Sequence, residues 1–460
     1  MNKKITDIVE FNPTRKIQRG NPAPFVDMAS LPVNGRDISK IEIKEFNGGG
    51  AKFKNGDTLF ARITPCLENG KTAKVSSLQS EAVGHGSTEF IVMAAKEPEY
   101  DEDFVYYIAR LPEFRAYATA RMEGTSGRQR VPWQALAEFE YPFPDKDDRR
   151  PIAQILKSLD DKIENNRRMN ESLEGMAQAI FKSWFVDFDP VRAKVGVLES
   201  GGSADDARFA AMKAISGKST ADLEALKTND PKIYSELAST ADAFPSSFTT
   251  SALGDIPEGW EASEIGNEVD VVGGGTPSTK NPEFWEDGTI NWTTPRDMSN
   301  LNDKILADTE RKITEAGLKK ISSGLLPIDT VLMSSRAPVG YLAIAKVPVA
   351  INQGYIAMKC NHSLSPEYVI QWCSHNMDEI KQRASGTTFA EISKKSFNPI
   401  PVIVPSEKAL KAYTQNIRSI YSKIEALIYE NRSLIETRDS LLPKLLSGEL
   451  SVEGLSENEE

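Results

Sequence analysis

The residues of this chain that could do chemistry are mainly hydrogen-bond donors and acceptors set in glycine-rich loops. The clearest stretch is Gly124-Thr125-Ser126-Gly127-Arg128-Gln129-Arg130. An arginine can hold guanine O6 and N7 together, and a glutamine can hold adenine N6 and N7. Glycines let a backbone approach a phosphate, and hydroxyls help to hold it. A second loop, Ser385-Gly386-Thr387-Thr388-Phe389, has the glycine and hydroxyls but no arginines. If both loops touch nucleic acid, they should favour different bases. Further candidates of the same chemical kind are Arg62, Thr64, Lys71 and Lys74 early in the chain, and Thr276, Ser278, Ser334, Ser335, Arg336 and Tyr341 later. Asn352-Gln353 is a candidate adenine reader. The plainer reading is that many of these are solvated loop residues.

Patterns for catalysis are poor by comparison. Pro65-Cys66-Leu67-Glu68-Asn69-Gly70-Lys71-Thr72 imitates a phosphate-binding loop, but proline stands where its first glycine is needed. Cys360-Asn361-His362 and Cys373-Ser374-His375 have the residue types of a zinc site. One-residue spacing is unusual for zinc, and on a helix positions i and i+2 diverge. Asp37 with Glu42-Ile43-Lys44 has the outline of a nuclease metal site, a common triplet. There is no Asn/Asp-Pro-Pro-aromatic motif of an amino-methyltransferase and no Gly-x-Ser-x-Gly elbow. His85, His362 and His375 are the only histidines, so general acid–base chemistry has few agents. No catalytic residue and no metal site is assigned.

The elements that must position the loops are duplicated. Gln154 to Leu173 aligns without a gap on Gln415 to Leu434. Identical pairs include Gln154/Gln415, Ser158/Ser419, Lys162/Lys423, Ile163/Ile424, Glu164/Glu425, Asn170/Asn431, Ser172/Ser433 and Leu173/Leu434. Asp57-Thr58-Leu59-Phe60 resembles Asp329-Thr330-Val331-Leu332, and each precedes a loop with arginine and proline: Arg62 and Pro65, then Arg336 and Pro338. A long-period repeat should be sought before any motif is weighed. Here it gives the order module, helix, connector, module, helix, two similar units about a pseudo-twofold axis.

Both repeated segments carry a heptad. The apolar seam of the first holds Leu159, Ile163, Asn170, Leu173 and Ile180, and that of the second Ile420, Ile424, Asn431, Leu434 and Leu441. Alternating steps of three and four mark a coiled-coil seam. A buried asparagine costs stability but fixes register, because only one alignment gives it a polar partner. Two such helices on one chain pair most simply with each other, antiparallel. From Leu156 to Trp184 the helix would be roughly 43 Å long at ~1.5 Å per residue. One face of B-DNA returns every ~34–36 Å, so the pair could hold two reading modules about one helical turn apart.

The modules mix strand signals (Ala51 to Ile63, Glu89 to Ala94, Thr330 to Met333, Gly340 to Lys346) with helical periodicity (Asp103 to Arg121, Pro366 to Ala384). The fold class is therefore α+β. The expected division is a first recognition module over 1–146, a central spacer helix over 147–188, and a partly helical linker over 189–250. A second module follows over 251–405, then a distal spacer helix over 406–450 and an acidic tail over 451–460. With 460 residues, 40% hydrophobic and 26% charged, the chain is a multi-domain globular protein. The net charge of −11 argues against a polyanionic partner, but charge is uneven. Residues 1–150 hold 22 acidic and 22 basic side chains, so the acidic excess lies later. Three distant cysteines and the absence of an apolar leader or span point to a reducing cytoplasm.

Val271-Val272-Gly273-Gly274-Gly275-Thr276-Pro277-Ser278-Thr279-Lys280, followed by Ile290-Asn291-Trp292-Thr293-Thr294-Pro295-Arg296-Asp297-Met298, resembles the opening of a recognition domain in the specificity subunits of type I restriction–modification enzymes. Leu253 to Trp260 is similar to that family's lead-in to its second domain. Ala179 to Phe188 and Leu441 to Leu450 are similar to the ends of its two helices. The first module opens instead on Val9-Glu10-Phe11-Asn12-Pro13. The resemblance implies a non-catalytic, sequence-specific binder of double-stranded DNA. Each recognition domain would read one half of a split, asymmetric site. The helices would set the gap and dock methyltransferase subunits, two in number, and restriction subunits. S-adenosylmethionine, ATP and magnesium would sit on those partners and no cofactor in this chain. Two other functions compete: a stand-alone nuclease or methyltransferase, against which the missing motifs count, and a protein-binding coiled-coil scaffold, against which the polar loops count.

Overall fold

The computed structural model describes residues 2–125, 127–299, 301, 303–386 and 390–452. It divides into two compact units, Met1–Asn166 with Ile428–Glu460, and Arg167–Leu427. No described helix is long and apolar enough to cross a membrane. Mixed helix and strand content, with two 40-residue helices at Lys146–Phe185 (the central helix) and Glu407–Leu446 (the distal helix), matches the expected class.

The first unit holds two four-stranded sheets. One is wholly antiparallel, in the order Val9–Phe11, Phe90–Ala95, Thr58–Ala61, Thr72–Lys74. Thr58–Ala61 is buried at every position, as a strand covered on both faces must be. The other runs Glu42–Glu45, Pro22–Val26, Gly84–Gly86, Ala51–Phe53, and its Phe25↔His85 pairing is parallel. The run expected as one strand over 51–63 is two, because the Lys54–Asp57 turn sends its halves to different sheets. The helical run expected over 103–121 breaks at Leu111. Proline at 112 pushes the preceding residue to an extended conformation, here φ −59°, ψ 126°.

The second unit repeats most of this order, with one strand added to the first sheet and one fewer in the second. Asp270–Val272, Tyr355–Lys359, Val331–Ser334 and Leu342–Ala345 form one sheet, extended by Ile305–Leu306. Arg311–Ile313, Ile290–Thr293 and Ala350–Ile351 form the other, with a parallel Trp292↔Ala350 pairing. Helices follow the long strand in each unit, at Pro98–Arg110 and Pro112–Thr119, then at Pro366–His375 and Met377–Gln382. Ser365 caps the third of these, accepting from the Tyr368 N–H. Residues 189–242 of the second unit form four helices, the last three sharing a core around Met212, Leu223 and Ala241. Ser203 with Asp206 and Ser219 with Asp222 make reciprocal capping boxes at two of their starts.

Each unit also contains one half of the helix pairing, and in both the direction is antiparallel. In the first, Asp160 meets Arg438 and Asn166 meets Asn431. In the second, Glu174 meets Tyr421 and Phe185 meets Tyr413. Of the seam positions read from the heptad, Ile163, Asn170 and Ile424 are buried. Leu159, Leu173, Ile180, Ile420, Asn431, Leu434 and Leu441 are half-buried. The polar contact of Asn431 differs from the reading in which it matched Asn170: its Oδ1 accepts from Asn166 Nδ2 at 2.9 Å. Asn170 lies in the other unit, beside Asp303. Burial raises the pKa of the Asp303 carboxyl, and the Asn170 amide opposes that shift.

Candidate nucleic-acid interface

In both units the loop after the second of the two helices, Pro112–Thr119 and Met377–Gln382, is pinned to the loop that holds arginine and proline. Thr64 N–H donates to the Gln129 carbonyl at 3.0 Å, and Gln129 N–H donates to Thr64 Oγ1 at 2.8 Å. Arg336 bridges Glu391 through the backbone, and its guanidinium lies 3.7 Å from the Glu391 carboxylate. The prolines of both loops, Pro65 and Pro338, follow cis peptide bonds. Chain segments far apart in sequence are thereby gathered on one edge of each unit.

The predicted loop over 124–130 presents its arginines differently. Arg128 is exposed, in a turn closed by its N–H donating to the Thr125 carbonyl at 3.0 Å. Arg130 is engaged: its Nε and Nη2 donate to both oxygens of Glu89 at 2.6–2.9 Å. Those bonds raise the pKa of its guanidinium above the ordinary arginine value. Thr125 is exposed, and Gln129 and Arg62 are half-buried. Ser126, Thr387 and Thr388 lie outside the described residues.

Four candidates turn out to hold structure together. Lys74 is 4% exposed and its ammonium meets Asp103 at 2.6 Å and Glu102 at 3.1 Å. Its strand is covered by the helix Pro98–Arg110, which carries both carboxylates. Lys71 donates to the Met28 carbonyl at 2.8 Å. Ser334 is fully buried, and its Oγ accepts from the N–H groups of Gly340 and Tyr341 while donating to the Pro338 carbonyl. Ser335 is buried, its N–H given to the Gly354 carbonyl at 2.8 Å. The Ser334 hydroxyl expected at the interface is taken up inside its own tight loop. Tyr341 is half-buried against the core around Leu332 and Ala343.

In the second unit the segment Gly273 to Ser278 is fixed by two indoles. Trp292 Nε1 donates to the Gly275 carbonyl at 3.2 Å, and Trp285 Nε1 to the Ser278 carbonyl at 3.0 Å. Gly275 N–H reaches the Ile351 carbonyl at 2.9 Å. The segment lies so close to the Ile351–Asn352 backbone that a Cβ on Gly274 would stand 2.0 Å from the Ile351 oxygen and 2.5 Å from that of Asn352. Exposed Thr276 is thereby set against Gln353, with 2.6 Å between its Oγ1 and the Gln353 Oε1. Gly274→Ala should cost about 1–3 kcal/mol through overpacking. Hydrogen exchange should quicken in Ile290–Thr293 and Tyr355–Lys359 while Thr58–Ala61 keeps its protection. Equal protection in both units would remove the close approach as the reason for this glycine.

Sequence reading missed Ser87, Thr88, Trp285 and Arg311. Arg311 is exposed and its guanidinium stacks over Trp285 at 3.7 Å. Ser87-Thr88 is the first unit's counterpart of Asn352-Gln353. Each pair follows the parallel strand and precedes the long one. Each is followed by a carbonyl that accepts from the arginine–proline loop, Glu89 from Arg62 N–H at 3.0 Å and Gly354 from Ser335 N–H at 2.8 Å. In each the first side chain caps the turn, Ser87 Oγ to Glu89 N–H at 3.1 Å and Asn352 Oδ1 to Gly354 N–H at 2.8 Å. Extending the repeat from Asp57/Asp329 toward this turn was the available signal.

Of the residues set aside for metal binding, His362 faces Asp270 at 3.1 Å and the His375 ring lies 6.3 Å from that of Phe181. Burial raises the pKa of the thiols of Cys360 and Cys373 well above the ordinary range. Among the described residues no group of three or more histidine, cysteine, aspartate or glutamate side chains is placed to hold a metal ion.

Residues 257–436 match the family model of the type I restriction modification DNA specificity domain. The chain is 33% identical over 419 residues to the specificity subunit of the type I restriction enzyme HindI of Haemophilus influenzae, covering 89% of this chain and 90% of that one. It is 32% identical over 200 residues to the MjaIX specificity subunit of Methanocaldococcus jannaschii, covering 43% and 45%. A solved type I restriction–modification S subunit from M. genitalium aligns over 97% of this chain and 96% of its own, at 14% identity and a TM-score of 0.47. Two units of one design, with differing side chains on the same turns, and a third of all positions shared along nearly the whole of a relative, place this chain among the specificity subunits of type I restriction–modification enzymes, the non-catalytic components that give such enzymes their DNA specificity.

Proposed function

We propose that each compact unit reads one half of a split, asymmetric site on double-stranded DNA. The paired helices set the gap and dock methyltransferase and restriction subunits. In this reading S-adenosylmethionine, ATP and magnesium belong to those partners. The supporting observation is the duplicated turn: one backbone design carries Ser87-Thr88 in one unit and Asn352-Gln353 in the other. A scaffold that only bound proteins would have no need for a repeated frame with variable polar side chains. Phosphate contacts position such a protein, and side chains at base edges specify sequence.

Co-expression with the neighbouring methyltransferase subunit, followed by mapping of methylated adenines across a genome, tests this. A split motif with a fixed gap is expected. A continuous motif, or none from a stable complex, would overturn it. Arg128→Ala should relax one base position of one half-site by about tenfold. Since Arg130 is held by Glu89, Arg130→Ala should change that half-site less. Uniform loss across all sequences on replacing Arg128 would mark a phosphate contact instead.

A further inference from the structure

Arg311 opens the strand Arg311–Ile313 and pairs with Trp292, which pairs in turn with Ala350. The Asn352–Gln353 turn follows Ala350 by two residues, so Arg311 stands at the same end of the sheet as that turn. Its guanidinium lies 3.7 Å over the Trp285 ring and 5.4 Å from the ring of Trp292. At the shorter distance no N–H group fits between the guanidinium carbon and the ring, so the planar group lies flat on the indole. Trp285 is itself fixed, at right angles to Trp292 and with its Nε1 given to the Ser278 carbonyl. The neighbouring charges are engaged elsewhere: Glu310 faces Arg296 at 4.0 Å, and Lys312 faces Asp308 at 3.6 Å. The exposed Arg311 side chain makes no hydrogen bond or ion pair with another described residue. The indole occupies its face and leaves the N–H groups of its edge to a ligand.

The first unit's counterpart of this position is Glu42. It pairs with Phe25, which pairs in parallel with His85, and the Ser87-Thr88 turn again follows by two residues. Lys40 and Lys44 hold the Glu42 carboxylate at 2.6 and 2.7 Å. One position of a shared frame thus carries a cation in one unit and a carboxylate in the other. A position that held the phosphate backbone would avoid negative charge in both units. A position that faces base edges varies with the bases read. We infer that Arg311 is a specificity-determining residue of the second unit and reads a guanine in the major groove. Guanine presents N7 and O6 as adjacent acceptors, which two N–H groups of the guanidinium fork can meet together. Adenine sets a donor beside its N7, and arginine has no acceptor to offer it. Trp285 is a positioning residue: it holds the fork in one plane, so less side-chain freedom is lost on binding.

The inference rests on the reading that the second unit contacts bases. Its test is selection from a randomised duplex DNA library by the assembled complex with its methyltransferase subunit. The wild type is compared with Arg311→Lys and Trp285→Leu. Arg311→Lys keeps the charge and loses the fork. It should lower a guanine preference at one position of one half-site about tenfold and leave the strength of non-specific binding unchanged. Trp285→Leu should lower the same preference about threefold and spare the neighbouring positions. Blurring of the whole half-site by Trp285→Leu would strip Trp285 of its positioning role. The other half-site reports that each variant complex is folded, and Arg311→Lys alters only an exposed side chain. If Arg311→Lys leaves every position unchanged, weakens binding equally for all sequences, or affects a position where the wild type does not prefer guanine, the inference is overturned. A wild-type complex that retains no split sequence would instead overturn the proposed function.

Discussion

Arg438→Met destabilises the first unit by about 3–5 kcal/mol, the cost expected when one partner of a buried ion pair is removed. Arg438 and Asp160 are each 4% exposed, and Nη1 meets Oδ1 at 2.7 Å. Burial opposes the charge on Arg438. Asp160 and then Asp439 outweigh that, so its pKa lies well above the ordinary arginine value. Asp160 also accepts from the Tyr107 hydroxyl at 2.9 Å, tying the distal helix to the recognition fold through the central one. Without the guanidinium the carboxylate is left in a dry site with one neutral donor. The measurement is urea unfolding followed by hydrogen exchange in Phe104 to Ile108, which lie in the same core. Asp160→Leu combined with Arg438→Met should recover most of the loss, because two apolar groups strand no charge. A single-variant cost below about 1 kcal/mol, the range of exposed pairs, would show that water reaches the pair.

Four residues inserted after Asn166 and four after Leu427 should lengthen the gap of the methylated motif by about two base pairs and leave both half-sites unchanged. The two compact units meet at those points in the chain, Asn166|Arg167 and Leu427|Ile428. Both points lie inside long helices, and 261 residues separate them, the same shift that aligns the repeat. The insertions therefore fall outside either unit's own fold. Four residues add about 6 Å of helix, close to two base pairs at ~3.4 Å each. A stutter of four is absorbed in a coiled coil by local unwinding. Mapping methylated adenines for the variant complex reads the result directly. An unchanged gap with intact half-sites would rule out the helices as spacer.

How far the sequence carried differs by level. The heptads at Leu159 to Ile180 and Ile420 to Leu441 were legible because a coiled-coil seam repeats every few residues along each helix, whichever distant segment it meets. The duplication was legible for the same reason: it is a comparison of the chain with itself. The break at Leu111–Pro112 and the split of 51–63 into two sheets were misread. Periodicity counts faces, and the choice of sheet partner is made by strands about 30 residues away, such as Gly84–Gly86 and Phe90–Ala95.

At the interface the limit was sharper. Residue type alone determined that the loops are rich in donors and acceptors and that catalytic groups are scarce. It did not determine which of those groups are already consumed. Lys74 and Ser334 look like surface chemistry in the sequence and are buried partners in the fold. Arg128 and Arg130 sit two apart in one loop, yet only Arg130 meets Glu89, 41 residues away. Gln353 Oε1 is met by the Thr276 hydroxyl, 77 residues away. A hydrogen bond needs about 3 Å and the right direction, and neither is encoded by spacing along the chain. Sequence by itself determined two similar modules on paired helices, because those follow from local period and internal repetition. The tertiary structure alone decided which donors remain free, because that depends on which distant oxygens the fold brings within reach.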